Sequence, residues 1–191
     1  MTDANGRPPG RVHYAWFVVA SATLVVFGAL GLARFGYTML LPPMQSGLGL
    51  DNTAAGGLAT ANMLGYLFMS VAGGALAARF GSRRVIVTGL AVTALGMLLT
   101  GFARSYTEAA WWRLVTGLGS GASNVLVMAL MAAWFVPSRR GMAAGIAVTG
   151  SSIALIFLGP TVPRILDAYG SGGWRACWFV FAAVCALITS R

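Results

Sequence analysis

The sequence predicts an all-α polytopic membrane protein with six transmembrane helices. Three observations carry that expectation. Of 191 residues, 58% are hydrophobic and only 9% charged, with a mean hydropathy of +0.78, whereas soluble domains carry about 25% charged residues. Long apolar stretches recur, separated by short polar breaks. The basic residues, 13 arginines with no lysine, gather in alternate breaks. Four acids cannot solvate a globular surface of this size, so a soluble enzyme and a disordered protein are both excluded.

A helix needs about 20 apolar residues to cross the hydrocarbon core. The first predicted span covers 15–41 and closes at Pro42–Pro43, behind a tail at 1–14. The second covers 53–78, after Asp51 and Asn52, residue types that suit a helix N-cap. The third covers 85–102 and the fourth 109–135, stopping before Pro137. The fifth covers 142–162, and the sixth 174–188. The first apolar run is longer than a signal-peptide core and five more follow, so a cleaved secretory leader is disfavoured.

The breaks give an orientation. One side holds Arg7, Arg11, Arg79, Arg83, Arg84, Arg139, Arg140 and Arg191; the other holds Arg104, Arg164 and Arg175 beside Asp51, Glu108 and Asp167. The positive-inside rule then puts both termini in the cytoplasm. Ser-Arg-Arg occurs at 82–84 and again at 138–140, two crossings later and on the same side. The net charge of +9 is therefore mostly an orientation signal, and nucleic acid is excluded as a partner.

Many of the 26 glycines fall at small-xxx-small spacing: Gly117 with Gly121, Gly141 with Gly145, and Ala61, Gly65, Met69 and Gly73 along one stripe. Lipid gives little hydrophobic drive between helices, so small residues that let backbones approach hold such bundles together. Cys177 and Cys185 lie eight residues apart on one helix, about 12 Å in rise, too far for a disulfide.

No catalytic constellation is present, and no enzyme activity is expected. His13 has no Cys, Asp or Glu beside it for a metal site, and no cofactor is implied. Arg34 stands roughly 12 Å inside the outer end of the first span, where a charge costs at least about 2.5–3.5 kcal/mol unless it faces protein or a wet cavity. Two readings stand: a snorkelling or interhelical structural arginine, or a cavity arginine gripping an anion through its planar fork. Tyr37 and Thr38 follow it at helical spacing, with Thr23 three turns back. Arg113 begins a second polar stripe with Thr116, Ser120 and Asn124. It lies behind Trp111 and Trp112, which suit an interfacial belt, and from there it is expected to snorkel outward. Asn62 with Tyr66, and Thr149 with Ser152, are further polar pairs at cavity spacing. No acid falls within a span, so a titrating intramembrane carboxylate is missing.

The stretch Gly74-Ala75-Leu76-Ala77-Ala78-Arg79-Phe80-Gly81-Ser82-Arg83-Arg84 resembles the signature loop of the major facilitator superfamily, Gly-x-Leu-Ala-Asp-Arg-x-Gly-Arg-Arg. Arg113-Leu-Val-Thr-Gly117-Leu-Gly119-Ser-Gly121 resembles the superfamily's fourth-helix motif, and Gly159-Pro160 is a fragment of its antiporter motif. Ala33-Arg34-Phe35-Gly36-Tyr37, with the segment around Asn62 and Tyr66, is similar to the YbfB/YjiJ-like branch of bacterial permeases. The signature Asp is Ala78 here, so the latch it supports in the family is weakened or replaced.

The resemblance implies one half of a twelve-span carrier, a six-helix bundle over 15–191 built as a 3+3 inverted repeat, with the C-terminal half absent. The substrate site of such carriers lies between halves at mid-membrane. A second half is therefore an expected partner, supplied by a longer chain, another copy or a different half, as is the bilayer of a bacterial inner membrane. The expected function is alternating-access transport of a small organic anion. Arg34, Tyr37, Asn62, Tyr66 and Asn124 line the site, while Gly74, Arg79, Gly81, Arg83, Arg84, Arg113, Gly117, Gly121, Gly159 and Pro160 serve packing and conformational change. Efflux of hydrophobic compounds, and a sensor or scaffold without flux, are the alternatives.

Overall fold

The computed structural model describes the backbone of residues 10–190 and the side chains of residues 16–190. Asp3, Arg7 and Arg191 lie outside the described residues, as do the side chains of Arg11 and His13 and most of the expected tail at 1–14. The described residues are helical apart from short connections. α1 (Gly10–Val26) runs without a break through a π-helical stretch (Phe27–Phe35) into α2 (Gly36–Leu48). There follow α3 (Asn52–Phe80), α4 (Ser82–Phe102), α5 (Tyr106–Trp134), α6 (Pro137–Tyr169), a 3-10 turn (Gly170–Gly172) and α7 (Gly173–Thr189).

Five helical stretches are long and apolar enough to cross a membrane: Trp16–Leu48, Asn52–Phe80, Ser82–Phe102, Tyr106–Trp134 and Pro137–Thr189. The last is 53 residues, about 80 Å if straight at 1.5 Å per residue. It is not straight. Along α6, Gly150 meets Thr23 and Ala154 meets Gly31, so α6 runs parallel to the first rod. Along α7, Trp174 meets Gly47, Phe181 meets Gly36 and Cys185 meets Gly28, so α7 runs antiparallel to it. The chain reverses at the 3-10 turn.

Helix starts follow local chemistry at one end of the bundle. Asp51 caps α3, its carboxylate accepting from the Ala54 N–H at 2.7 Å. Ser105 caps α5 by accepting from the Glu108 N–H, while Glu108 accepts from the Arg104 N–H at 2.8 Å. Helix ends depart more from the sequence expectation. Prolines 42 and 43 remove two ladder donors, yet the helix continues to Leu48. Packing against α7 holds it: the Trp178 Nε1–H points to the Met44 sulfur at 3.3 Å, and Trp174 covers Gly47. Likewise α6 passes Pro160 and Pro163 to reach Tyr169.

α5 is the centre of the packing, flanked by α3 and α4. A Cβ on Gly117 would strike the Asn62 carbonyl, one on Gly121 the Tyr66 carbonyl, and one on Gly65 the Leu114 carbonyl. These glycines let α3 and α5 touch backbone to backbone. Gly119 and Gly89 do the same between α5 and α4. Gly141 and Gly145 do not: nothing lies within 4 Å of either. The expected packing role for that pair is corrected, because the exposed face of α6 that carries them meets no helix of this chain.

Pairing of α3 with α5 in parallel, and of the first rod against both, sorts the connections between two ends. Arg79, Arg83, Arg84, Arg139 and Arg140 share one end. Asp51, Arg104, Glu108, Arg164, Asp167 and Arg175 share the other.

Candidate functional site

Arg113 stands in the second turn of α5 and is only 1% exposed. Its Nη1 donates to the Ala33 carbonyl at 2.8 Å, within the π-helical stretch. Its guanidinium carbon lies 4.4 Å from the Tyr37 ring centroid and 5.4 Å from that of Trp178. The expectation that it snorkels outward is overturned. Two aromatic faces and a backbone carbonyl from other helices supply inside the bundle what the interface would otherwise offer. Its Nε has no hydrogen-bond partner.

Arg34 is the penultimate residue of the π-helical stretch and is half-buried. It reaches across to α3, where its Nη2 lies 2.9 Å from the Met63 sulfur and its guanidinium carbon 5.9 Å from the Tyr66 ring centroid. A thioether is a weak acceptor. Arg34 therefore keeps most of its donors for something else. Tyr66 continues the chain of contacts, its hydroxyl accepting from Asn124 Nδ2 at 2.8 Å. Asn124 is 8% exposed and its Oδ1 has no partner.

The structure thus joins Arg34, Tyr66 and Asn124 into one row from the first rod through α3 to α5. Tyr37 and Asn62 stand behind that row. The Tyr37 hydroxyl donates to the Ala55 carbonyl at 2.7 Å, and Asn62 Nδ2 donates to the Arg113 carbonyl at 2.9 Å. Thr38, Thr149 and Thr23 spend their hydroxyls on carbonyls of their own helices, and Thr23 also approaches the Ile146 carbonyl at 3.4 Å. Ser152 is exposed.

The motif residues separate by geometry. Gly81 sits between α3 and α4 at φ 87°, a conformation that L side chains rarely adopt. Gly74 and Gly159 have open space around them, and Pro160 is exposed within α6. Arg79, Arg83 and Arg84 are exposed, Arg79 lying over the neighbouring Phe80 ring at 5.4 Å.

Sequence reasoning missed Trp178, Met63 and the Ala33 carbonyl. The i+3/i+4 stripe of small polar residues after Arg113 was the available signal, since such a face packs on a helix rather than facing lipid. A groove of about 730 Å³ between α3 and α5 is lined by Leu64, Leu67, Phe68, Leu114 and Leu118 and holds none of the polar row. No cluster of His, Cys, Asp or Glu among the described residues has the makings of a metal site. Chemically, the row offers a cation, an aromatic face and a buried amide.

The family model described as Major Facilitator Superfamily matches residues 23–190. A probable chloroplastic anion transporter 3 of Arabidopsis thaliana is 31% identical over 73% of the chain, and Monocarboxylate transporter 11 of Mus musculus 30% identical over 99%. The chain spans 28% and 41% of the lengths of these relatives, both named as transporters and not as enzymes. Among solved structures, a bacterial homologue of the human lysosomal transporter Spinster, inward-facing and occupied, superposes with a TM-score of 0.68 at 18% identity. That match covers 97% of this chain and 44% of the other.

Proposed function

The chain belongs to the major facilitator superfamily and is a multi-pass membrane protein, and from that premise we propose that it is one six-helix half of a secondary carrier for small organic anions. In this reading α6 and α7 are separate crossings, the 3-10 turn is a loop, and the arginine-rich end faces the cytoplasm of a bacterial inner membrane. A second half closes over the open face of the bundle, and rocking of the two halves alternates access to the site.

One observation carries the anion assignment. Arg34 and Arg113 are two guanidinium groups within apolar spans, and the described acids all lie at one end of the bundle. Asp51 caps α3, Glu108 binds a loop N–H, and Asp167 sits in the last turn of α6. Aromatic faces and the Ala33 carbonyl engage Arg113 inside the bundle, with its Nε left unpaired. Arg34 keeps free donors in a half-buried position, and a carboxylate or comparable anion supplies the missing acceptor with a bidentate fit. Tyr66 contributes its face beside Arg34, Asn124 holds Tyr66, and Tyr37 with Asn62 hold the helices behind. The names of the anion and monocarboxylate transporters agree with this sign of charge.

Uptake into proteoliposomes carrying the full-length carrier tests the reading against its chief rival. A panel of radiolabelled monocarboxylates should be transported and compete with one another. Transport of lipophilic cations with no effect of carboxylates would overturn it in favour of hydrophobic-compound efflux, and tight carboxylate binding without flux would favour a sensor.

A further inference from the structure

We propose that the end of the bundle bearing Arg79, Arg83, Arg84, Arg139 and Arg140 is a docking surface for anionic phospholipid headgroups in the leaflet it faces. All five side chains are exposed, and no acidic residue among the described residues shares that end. The opposite end mixes Arg104, Arg164 and Arg175 with Asp51, Glu108 and Asp167, so its field is close to balanced. The asymmetry is a property of the folded bundle, because the α3–α4 and α5–α6 connections meet at one end only through the parallel pairing of α3 with α5.

Depth points to lipid. Phe80, Trp134, Val136 and Met142 bracket these arginines in the chain and are 50–60% exposed. Large apolar side chains are stable in that position at the boundary of the hydrocarbon, with the guanidinium groups just above it at the level of the phosphates. The arginines are only lightly engaged within the chain. Arg79 lies over Phe80, and Arg140 Nε donates to the Phe135 carbonyl at 2.9 Å. Both arrangements hold the stem down and leave the terminal nitrogens for an acceptor. Arg83 and Arg84 open α4, and Arg139 and Arg140 open α6, while α3 and α5 end beside them, so the helix dipoles largely cancel and the positive potential there is that of the arginines. A planar guanidinium pairs with phosphate through two parallel N–H donors, and a polybasic segment gains about 1 kcal/mol per residue at an anionic surface.

Spin-labelled lipids give a direct test on the protein in phosphatidylcholine bilayers. The motionally restricted fraction of labelled phosphatidylglycerol should exceed that of labelled phosphatidylcholine, and the preference should fall as salt is raised. Replacing Arg83, Arg84, Arg139 and Arg140 together with Gln should cut the preference by at least about five-fold, the equivalent of about 1 kcal/mol for one arginine–headgroup contact. The four Lys replacements should keep it within two-fold. Arg104→Gln with Arg164→Gln, at the other end, should leave it unchanged. Equal restriction of both lipids by the wild-type protein at low salt would overturn the proposal whatever the variants do. So would a preference that survives the four Gln replacements, or one that the Arg104 and Arg164 pair removes.

Discussion

The Arg113 guanidinium carbon lies over the Tyr37 ring, 4.4 Å from its centroid, while the Tyr37 hydroxyl donates to the Ala55 carbonyl at the start of α3. This cation–ring pair ties α5, the first rod and α3 together. The same arginine reaches back to the Ala33 carbonyl, one residue before Arg34. The buried pair therefore sets where Arg34 stands.

Arg113→Lys keeps the charge but gives up the guanidinium's simultaneous reach to the Tyr37 and Trp178 rings and the Ala33 carbonyl. A desolvated cation–π contact is worth about 2 kcal/mol, and a hydrogen bond to a charged group about 1.5–3 kcal/mol. The variant should be destabilised by about 2–4 kcal/mol in detergent, read as a lower thermal midpoint. An unchanged midpoint would show that these guanidinium contacts contribute nothing.

Gly117→Ala and Gly145→Ala should behave in opposite ways. The first places a methyl group against the Asn62 carbonyl, which cannot move without separating α3 from α5. Overpacking of this kind costs about 1–3 kcal/mol. Gly145 has open space and lies within a helix, so alanine there should be neutral or stabilising by up to about 1 kcal/mol. Thermal unfolding of the two variants side by side decides it.

Tyr66→Phe removes the acceptor for Asn124 Nδ2 and breaks that buried amide's hydrogen bond. The expected cost is about 1–3 kcal/mol. A double-mutant cycle with Asn124→Leu should return a coupling energy of about 0.5–3 kcal/mol. Additive effects would mean the two side chains do not act as a pair.

Much of this was legible in the chain before folding. Asp51 stands where an N-cap belongs, and Gly117 and Gly121 at four-residue spacing already mark a close helix contact. Arg34, Tyr66 and Asn124 could each be picked out as polar residues in apolar surroundings. Their connection could not, since it depends on how three helices rotate about their axes. The π-helical stretch is one reason: its hydrogen bonds span five residues rather than four, so a face drawn at 3.6 residues per turn groups Arg34 with Thr38 and Thr23, which bond to carbonyls of their own helices instead. Arg113 was misplaced for a related reason. Depth along a helix was readable from Trp111 and Trp112, but the two aromatic faces that bury it come from residues 37 and 178. Pro42 and Pro43 misled locally because packing of Met44 and Gly47 on α7 outweighs two lost ladder bonds.

The central claim is that Arg34 holds the anion. It is tested most directly by the equilibrium affinity of the full-length carrier for a transported carboxylate, measured by scintillation proximity binding for wild-type, Arg34→Lys and Arg34→Ala proteins with equal thermal midpoints. Loss of a bidentate charge-assisted contact predicts an affinity at least ten-fold weaker for Arg34→Ala, equal to about 1.4 kcal/mol, with Arg34→Lys between the two. Wild-type affinity in Arg34→Ala would contradict the account.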